Sequence, residues 1–459
     1  MGRVRISGPA SLMRFLALCI FLGVSAGNAQ NPPSSTPSKA DRLRSLIAQA
    51  EAAEQQNRLD EAVALYEQIL RIRPGWASAE LNLGLVYHSR AEYSKAIQSL
   101  TNALAHNDGL HSALLFRGAS YYHTGRYNDA VRDLKNYLRT EASSTEALSY
   151  LGNAQLAKND PAEAALAYAS LARVSNEPSA YFQLTDAYIQ LARSVMERLT
   201  GEDAEAYQRR IIATDASTEV EPCELPSDPE LTRVRCAADR FEFETATATL
   251  IEILRRPGIT QESIFNSVGS CRRLARAAVA KVVALAPEST WAALLRAQAA
   301  EQSGDTDKVE KEYELAIAAP GAGLESYVRF GQFESKHGRY DRALTLYERA
   351  LTLEPANPRV MGLIGEVHAL QDRPGRAAPY LETALRANPH ETQTRLYLAQ
   401  SLIRLKRSAE AVRILEAAPN DPDGRIHYLL GRTYQQQGES QKARKAMDEF
   451  RRLRKDSTK

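Results

Sequence analysis

The chain has 459 residues, 44% of them hydrophobic, 7% aromatic and 25% charged, which is the balance of a globular protein and excludes a disordered or fibrous one. Fifty-eight Lys and Arg against 56 Asp and Glu leave a net charge of +2, so no global field favours nucleic acid or an acidic membrane surface. That length implies several compact domains unless one small unit repeats.

The N-terminus reads as an export signal. Arg3, Arg5 and Arg14 precede the apolar run from Phe15 to Val24, and Gly27-Asn28-Ala29 offers small residues for cleavage after Ala29. The run is too short for a comfortable span, which needs roughly 20 residues, so export is favoured over an uncleaved anchor. Residues 1–29 hold three Arg and no acid, leaving 55 basic and 56 acidic side chains in the mature chain. Residues 30–42 are Pro- and Ser-rich in Asn31 to Lys39 and are expected to form a disordered spacer.

Beyond the spacer the sequence repeats itself. Ala62, Ala96, Ala130 and Ala164 recur at a step of 34 inside amphipathic segments that open at Leu59, Tyr93, Tyr127 and Pro161. Ala50, Gly84, Gly118 and Gly152 recur at the same step in the segments before them. Each unit thus predicts two antiparallel helices, whose small residues let the axes approach; the alanine of the second helix is expected to close on the small residue of the first. His123-Thr124-Gly125-Arg126 supplies a glycine for a turn, and Pro74, Pro287, Pro355 and Pro389 end second helices. In the C-terminal half the same pattern is carried by Tyr327, Phe330, Gly331, Ala343, Tyr347, Ala350 and Pro355. It continues through Gly365 with Ala377, Ala399 with Ala411, and Gly431 with Ala443, and steps back from Ala343 to Val309 and Ala275.

The frame fails in the middle. A first helix resembling its predecessors is expected from Tyr181, and an extended second one over 191–210. Thr218 to Glu230 then gathers three Pro and five acids, which predicts a loop. Either this is a tolerated insertion on one face of the array or it is a loop that contacts a partner. Cys223, Cys236 and Cys271 are the cysteines left after processing. An exported chain would join two of them, Cys223 with Cys236 or Cys236 with Cys271.

These repeats resemble the tetratricopeptide repeat, over about 43–180 and 257–455. The resemblance implies an all-α solenoid, a right-handed superhelix of antiparallel helix hairpins, here with an irregular helical insertion in the middle. The expected segments are 1–29 signal, 30–42 spacer, 43–178 N-terminal array of four repeats, 179–256 irregular segment, and 257–457 C-terminal array of about six repeats. The family binds a peptide or a partner helix in the concave groove lined by first helices. Its groove offsets map to Leu81, Leu85 and His88, then Leu115, Ala119 and Tyr122, then Ser149 and Asn153. In the C-terminal array they map to Val328 and Gln332, Gly362 and Glu366, Leu396 and Gln400, and Tyr428 and Arg432. The N-terminal groove is thus expected to be apolar and the C-terminal one polar. The clamp by which chaperone-binding members hold a terminal carboxylate is unmatched, since Ile47 and Glu51 occupy its first two places.

No catalytic pattern accompanies the repeats. The one G-x-S-x-G pattern, Gly23 to Gly27, lies in the signal segment. There is no P-loop, no H-E-x-x-H and no C-x-x-C, and no His falls between His123 and His337. The expectation is therefore a non-enzymatic scaffold without cofactor or metal, exported to the periplasm or cell envelope, and binding another protein of an envelope or secretion assembly. An accessory subunit for polysaccharide or cell-wall handling is the alternative.

Overall fold

A computed structural model describes residues 38–199, 223, 228–355, 357–389, 391–418, 421 and 423–456. The signal segment, the spacer up to residue 37 and most of the acidic loop lie outside the described residues. Twenty-two α-helices and no strand occur among the described residues. The chain divides into two compact units, Met1–Tyr121 and Tyr122–Lys459.

In unit 1, α1 (Lys39–Gln55) pairs with α2 (Leu59–Ile72), and α3 (Ala77–Ser89) with α4 (Tyr93–His106). Helix α5 (His111–His123) carries the unit boundary. Ser38 caps α1 by accepting the Asp41 amide, so the first helix begins four residues before the boundary expected at 43.

Unit 2 continues with α6 (Tyr127–Tyr137), α7 (Thr145–Ala157), α8 (Pro161–Ser175) and α9 (Pro178–Met196). After the break come α10 (Pro229–Asp239), α11 (Phe243–Leu254) and the 25-residue α12 (Gln261–Leu285). Five further pairs follow: α13 (Thr290–Ser303) with α14 (Thr306–Ala318), α15 (Leu324–Lys336) with α16 (Tyr340–Leu353), α17 (Pro358–Leu370) with α18 (Pro374–Ala387), α19 (Thr392–Arg404) with α20 (Ser408–Glu416), and α21 (Arg425–Gln436) with α22 (Ser440–Asp456).

The middle of the chain is more regular than its sequence. Helix α9 packs along α12, not along the segment that follows it, and it also meets α13, the first helix of the next pair. One repeat is therefore split: α9 is its first helix and α12, with Ala275, its second. The hairpin α10–α11 is inserted between them and packs on α8 and α12. Tyr188 of α9 and Thr247 of α11 share a buried hydrogen bond of 2.5 Å. A single core runs from Leu148 through Leu231, Leu250 and Leu274 to Phe330 and Leu346. Two expectations need correction here. The segment 179–256 is not irregular throughout, since α9 opens a repeat at Pro178, and five pairs rather than about six follow the insertion, because α12 belongs with α9.

The role of the small residues is also different in detail. A Cβ on Gly84 would lie 2.8 Å from Leu100 Cδ2, one on Gly152 2.7 Å from Tyr168 Cδ1, and one on Gly365 2.8 Å from Leu381 Cδ2. At Gly331 it would lie 2.8 Å from Tyr347 Cδ1, and at Gly431 2.8 Å from Met447 Cγ. The side chain admitted by each glycine is thus the one sixteen positions later. The alanine twelve positions later is fully buried, as at Ala96, Ala164, Ala343 and Ala377, but is not what the glycine makes room for.

Of the two pairings open to the cysteines, the structure has Cys223 joined to Cys236 on α10, with the Cα atoms 5.1 Å apart. Cys271 is a buried thiol on α12, and burial pushes its pKa up to about 12.

Candidate functional site

In unit 1 the groove offsets are mostly occupied by packing. Leu85 and Leu115 are buried and Leu81 packs against the core, so they form no exposed apolar strip. The His88 ring lies edge-on to Tyr93 and Phe116, at 5.4 and 5.6 Å between centroids. Its Nδ1 is 2.8 Å from Ser120 Oγ, which donates to the Phe116 carbonyl. Burial pulls the imidazole pKa down to about 4, so at neutral pH the ring is an uncharged packing element.

In unit 2 the first helices bring polar and aromatic side chains together on their inner side. Tyr122 stands 5.8 Å from the Tyr150 ring and 6.0 Å from Tyr127, and His123 is 5.8 Å from Tyr150. Asn153 accepts from the Tyr168 hydroxyl at 2.7 Å, and Ser149 accepts from Gln183 at 3.4 Å. Phe182 of α9 packs on Trp291 of α13 with centroids 4.9 Å apart, and the Arg329 guanidinium of α15 sits 4.8 Å over the Phe182 ring.

Four charged groups form the centre of this surface. Arg329 donates to Glu325 at 2.7 Å and lies 3.6 Å from Asp186 on α9; Arg359 of α17 donates to the other Glu325 oxygen at 2.9 Å. Burial pushes the Glu325 carboxyl up, but Arg359 and Arg329 outweigh it and hold the group below its usual value. Both guanidiniums are in turn held above theirs by Glu325, against the opposing effect of burial. Two carboxylates against two guanidiniums make the cluster neutral. It remains wetted, since the Arg359 side chain is 52% exposed. Burial raises the Tyr122 pKa, with Arg359 pulling the other way, so the hydroxyl stays a neutral donor and acceptor.

The structure thus joins three expected positions, Tyr122, Ser149 and Asn153, to a group that the groove offsets miss: Tyr150, Phe182, Asp186, Trp291, Glu325, Arg329 and Arg359. The signal was present, because Trp291, Glu325 and Arg359 recur at the step of 34. They lie one helical turn before the groove offsets. Of the remaining expected positions, Gln332, Gln400 and Arg432 are exposed, and Val328 and Leu396 are buried. Glu366 is half-buried and bonded to Tyr397, and its pKa is raised by burial. Among the described residues no group of three or more His, Cys, Asp or Glu could hold a metal ion, and no helix is long and apolar enough to cross a membrane.

Models of the tetratricopeptide repeat match residues 47–111, 117–180 and 424–455, and a model described as anaphase-promoting complex, cyclosome, subunit 3 matches residues 336–418. No curated protein matches the sequence. Similar solved structures include PilF of Pseudomonas aeruginosa, at 20% identity, covering 48% of this chain and 92% of that one with a TM-score of 0.36. Yeast Tom70 is similar at 14% identity over 91% and 93% of the two chains, with a TM-score of 0.34. YrrB, described as a TPR protein with an unusual peptide-binding site, is similar at 21% identity over 39% and 93%, with a TM-score of 0.33.

Proposed function

The chain belongs to the tetratricopeptide-repeat superfamily, and we propose that it is an exported, non-catalytic adaptor of the cell envelope that holds another protein against the inner side of its second unit. Stacked helical hairpins of this kind are scaffolds for protein–protein interaction. The observation that carries the finer reading is the surface made by Tyr122, Tyr150, Trp291, Asp186, Glu325, Arg329 and Arg359, which rests on the buried Phe182. Rings there offer apolar area at low entropic cost, and the paired charges offer donors and acceptors to a peptide backbone. Export is supported by the sequence of residues 1–29, and an assembly or secretion complex of the envelope is the setting we assign to the partner.

The test is capture from envelope extract by the chain from residue 30 onward, beside Tyr122→Ala and Arg359→Ala variants of equal helicity. A protein retained by the parent and lost by both variants supports the reading. Equal capture by all three overturns the assigned surface. The same rings could stack on sugar faces, so capture of glycan alone would favour the alternative of a polysaccharide-handling subunit.

A further inference from the structure

In a stack of hairpins each unit buries its apolar face on its neighbours, so contacts between distant repeats are not expected. Unit 2 departs from that rule on its inner side. Asn388, in the link between α18 and α19, donates to the Tyr127 hydroxyl of α6 at 3.4 Å across 261 residues of chain. The turn before α6 is closed by Gly125 at φ +71, and a Cβ there would fall on Asn388 Oδ1 and 2.9 Å from its Cγ. The positive φ favours glycine there, and a side chain at that position would have to displace the Asn388 amide. Farther in, Arg329 reaches past the α13–α14 pair to Asp186 and Phe182 of α9. Glu325 then links Arg329 to Arg359, whose charge acts on the Tyr122 hydroxyl of α5.

We infer that this chain of groups is a latch that holds the inner side of unit 2 closed, and that a partner gains access by opening it. The links are a hydrogen bond, an ion pair and a cation over a ring. Each is individually weak in water, so the open state is a minor but measurable population. Of these groups Phe182 is a core residue, and it stays packed on Trp291 when the polar links part, so opening leaves the repeats folded. The consequence for access rests on the proposed partner surface, whereas the latch itself does not, and its test needs no partner.

The experiment places spin labels at the exposed positions Asn128 on α6 and Arg386 on α18, as Asn128→Cys and Arg386→Cys in the chain from residue 30 onward. Cys271 is buried and the other two cysteines are bonded to each other. The parent should give one short, narrow distance at low salt. The Asp186→Asn, Asn388→Ala double variant should add a longer population about tenfold larger than in the parent, at unchanged helicity. Adding 1 M salt to the parent should move it the same way, because the Debye length falls to about 3 Å. A distribution unchanged by both the double variant and salt would overturn the latch. So would a parent that lacks the short distance. Loss of partner capture with an intact latch would instead count against the proposed surface alone.

Discussion

Gly331 gives the sharpest test of how these hairpins close. Tyr347 is 1% exposed and packs directly over the position a Cβ would take, 2.8 Å from its Cδ1 and 3.0 Å from its Cζ. Neither partner can yield easily, since one is backbone in a helix and the other is walled in by Val328, Val360 and Ile364. Gly331→Ala gains about 1 kcal/mol of helix propensity. Against this stands an overpacking cost of about 1–3 kcal/mol, and the close approach at this site belongs at the upper end. The expected net loss is about 1–2 kcal/mol. Gly269 in α12 is the control, because a Cβ there meets nothing within 4 Å. Gly269→Ala should therefore raise stability by up to about 1 kcal/mol. Urea denaturation followed by helical circular dichroism would read both, with midpoints moving in opposite directions. If Gly331→Ala matched or exceeded its parent in stability, the glycine would not be holding room for Tyr347, and the account of hairpin closure would fail.

Other predictions concern charge and burial. His88 has a folded pKa of about 4 against the ordinary 6.5, so between those values the unfolded chain binds more protons and stability falls as pH drops through the window. The full loss is at most about 3 kcal/mol, and His88→Gln should flatten the acid limb of urea midpoints between pH 7 and 4.5; an unchanged slope would refute the assignment. Arg395 is 4% exposed and donates to the Ile414 carbonyl at 2.6 Å and to the Pro389 carbonyl, tying two helix ends together. Arg395→Met strips both carbonyls of their donor and should cost about 2–3 kcal/mol, seen as a lower melting temperature. In the chain from residue 30 onward, thiol titration should find no fast-reacting cysteine until reductant is added and two afterwards, since Cys271 stays buried with its thiolate disfavoured.

How much of this was legible in the sequence depends on what each signal reports. The step of 34 reports a local event, one helix folding back on the one before it, and wherever chain neighbours are also space neighbours it placed the helices correctly. Ala96, Ala164, Ala343 and Ala377 are all fully buried, as their recurrence implied. The step cannot report a repeat whose two helices are separated by an inserted hairpin. The first helix of the split repeat ends at Met196 and the second begins only at Gln261, so the phase is lost although the packing is kept. Of the stretch 218–230, with its three prolines and five acids, only Cys223 and 228–230 are described, and Pro229 and Glu230 open α10. Those prolines and acids hid the fact that the repeats on either side are stacked without interruption, through Phe182 on Trp291.

The site was less legible for a related reason. Groove offsets taken from a family describe which way a side chain points from its own helix, not what faces it. At one offset Leu115, Val328 and Leu396 are all buried, whereas at the other Leu85 is buried and Gln332, Gln400 and Arg432 are exposed. The contacts of Asn388 with Tyr127 and of Arg329 with Asp186 likewise join residues that no local pattern relates. A neutral, wetted cluster such as Glu325 and Asp186 with Arg329 and Arg359 suits that position: it can be parted without leaving a lone charge in an apolar core, because solvent already reaches it. The polar choice at Glu325 and Arg359, equivalent positions in successive repeats, is therefore the physical reason to read this side of unit 2 as the part of the molecule built to open.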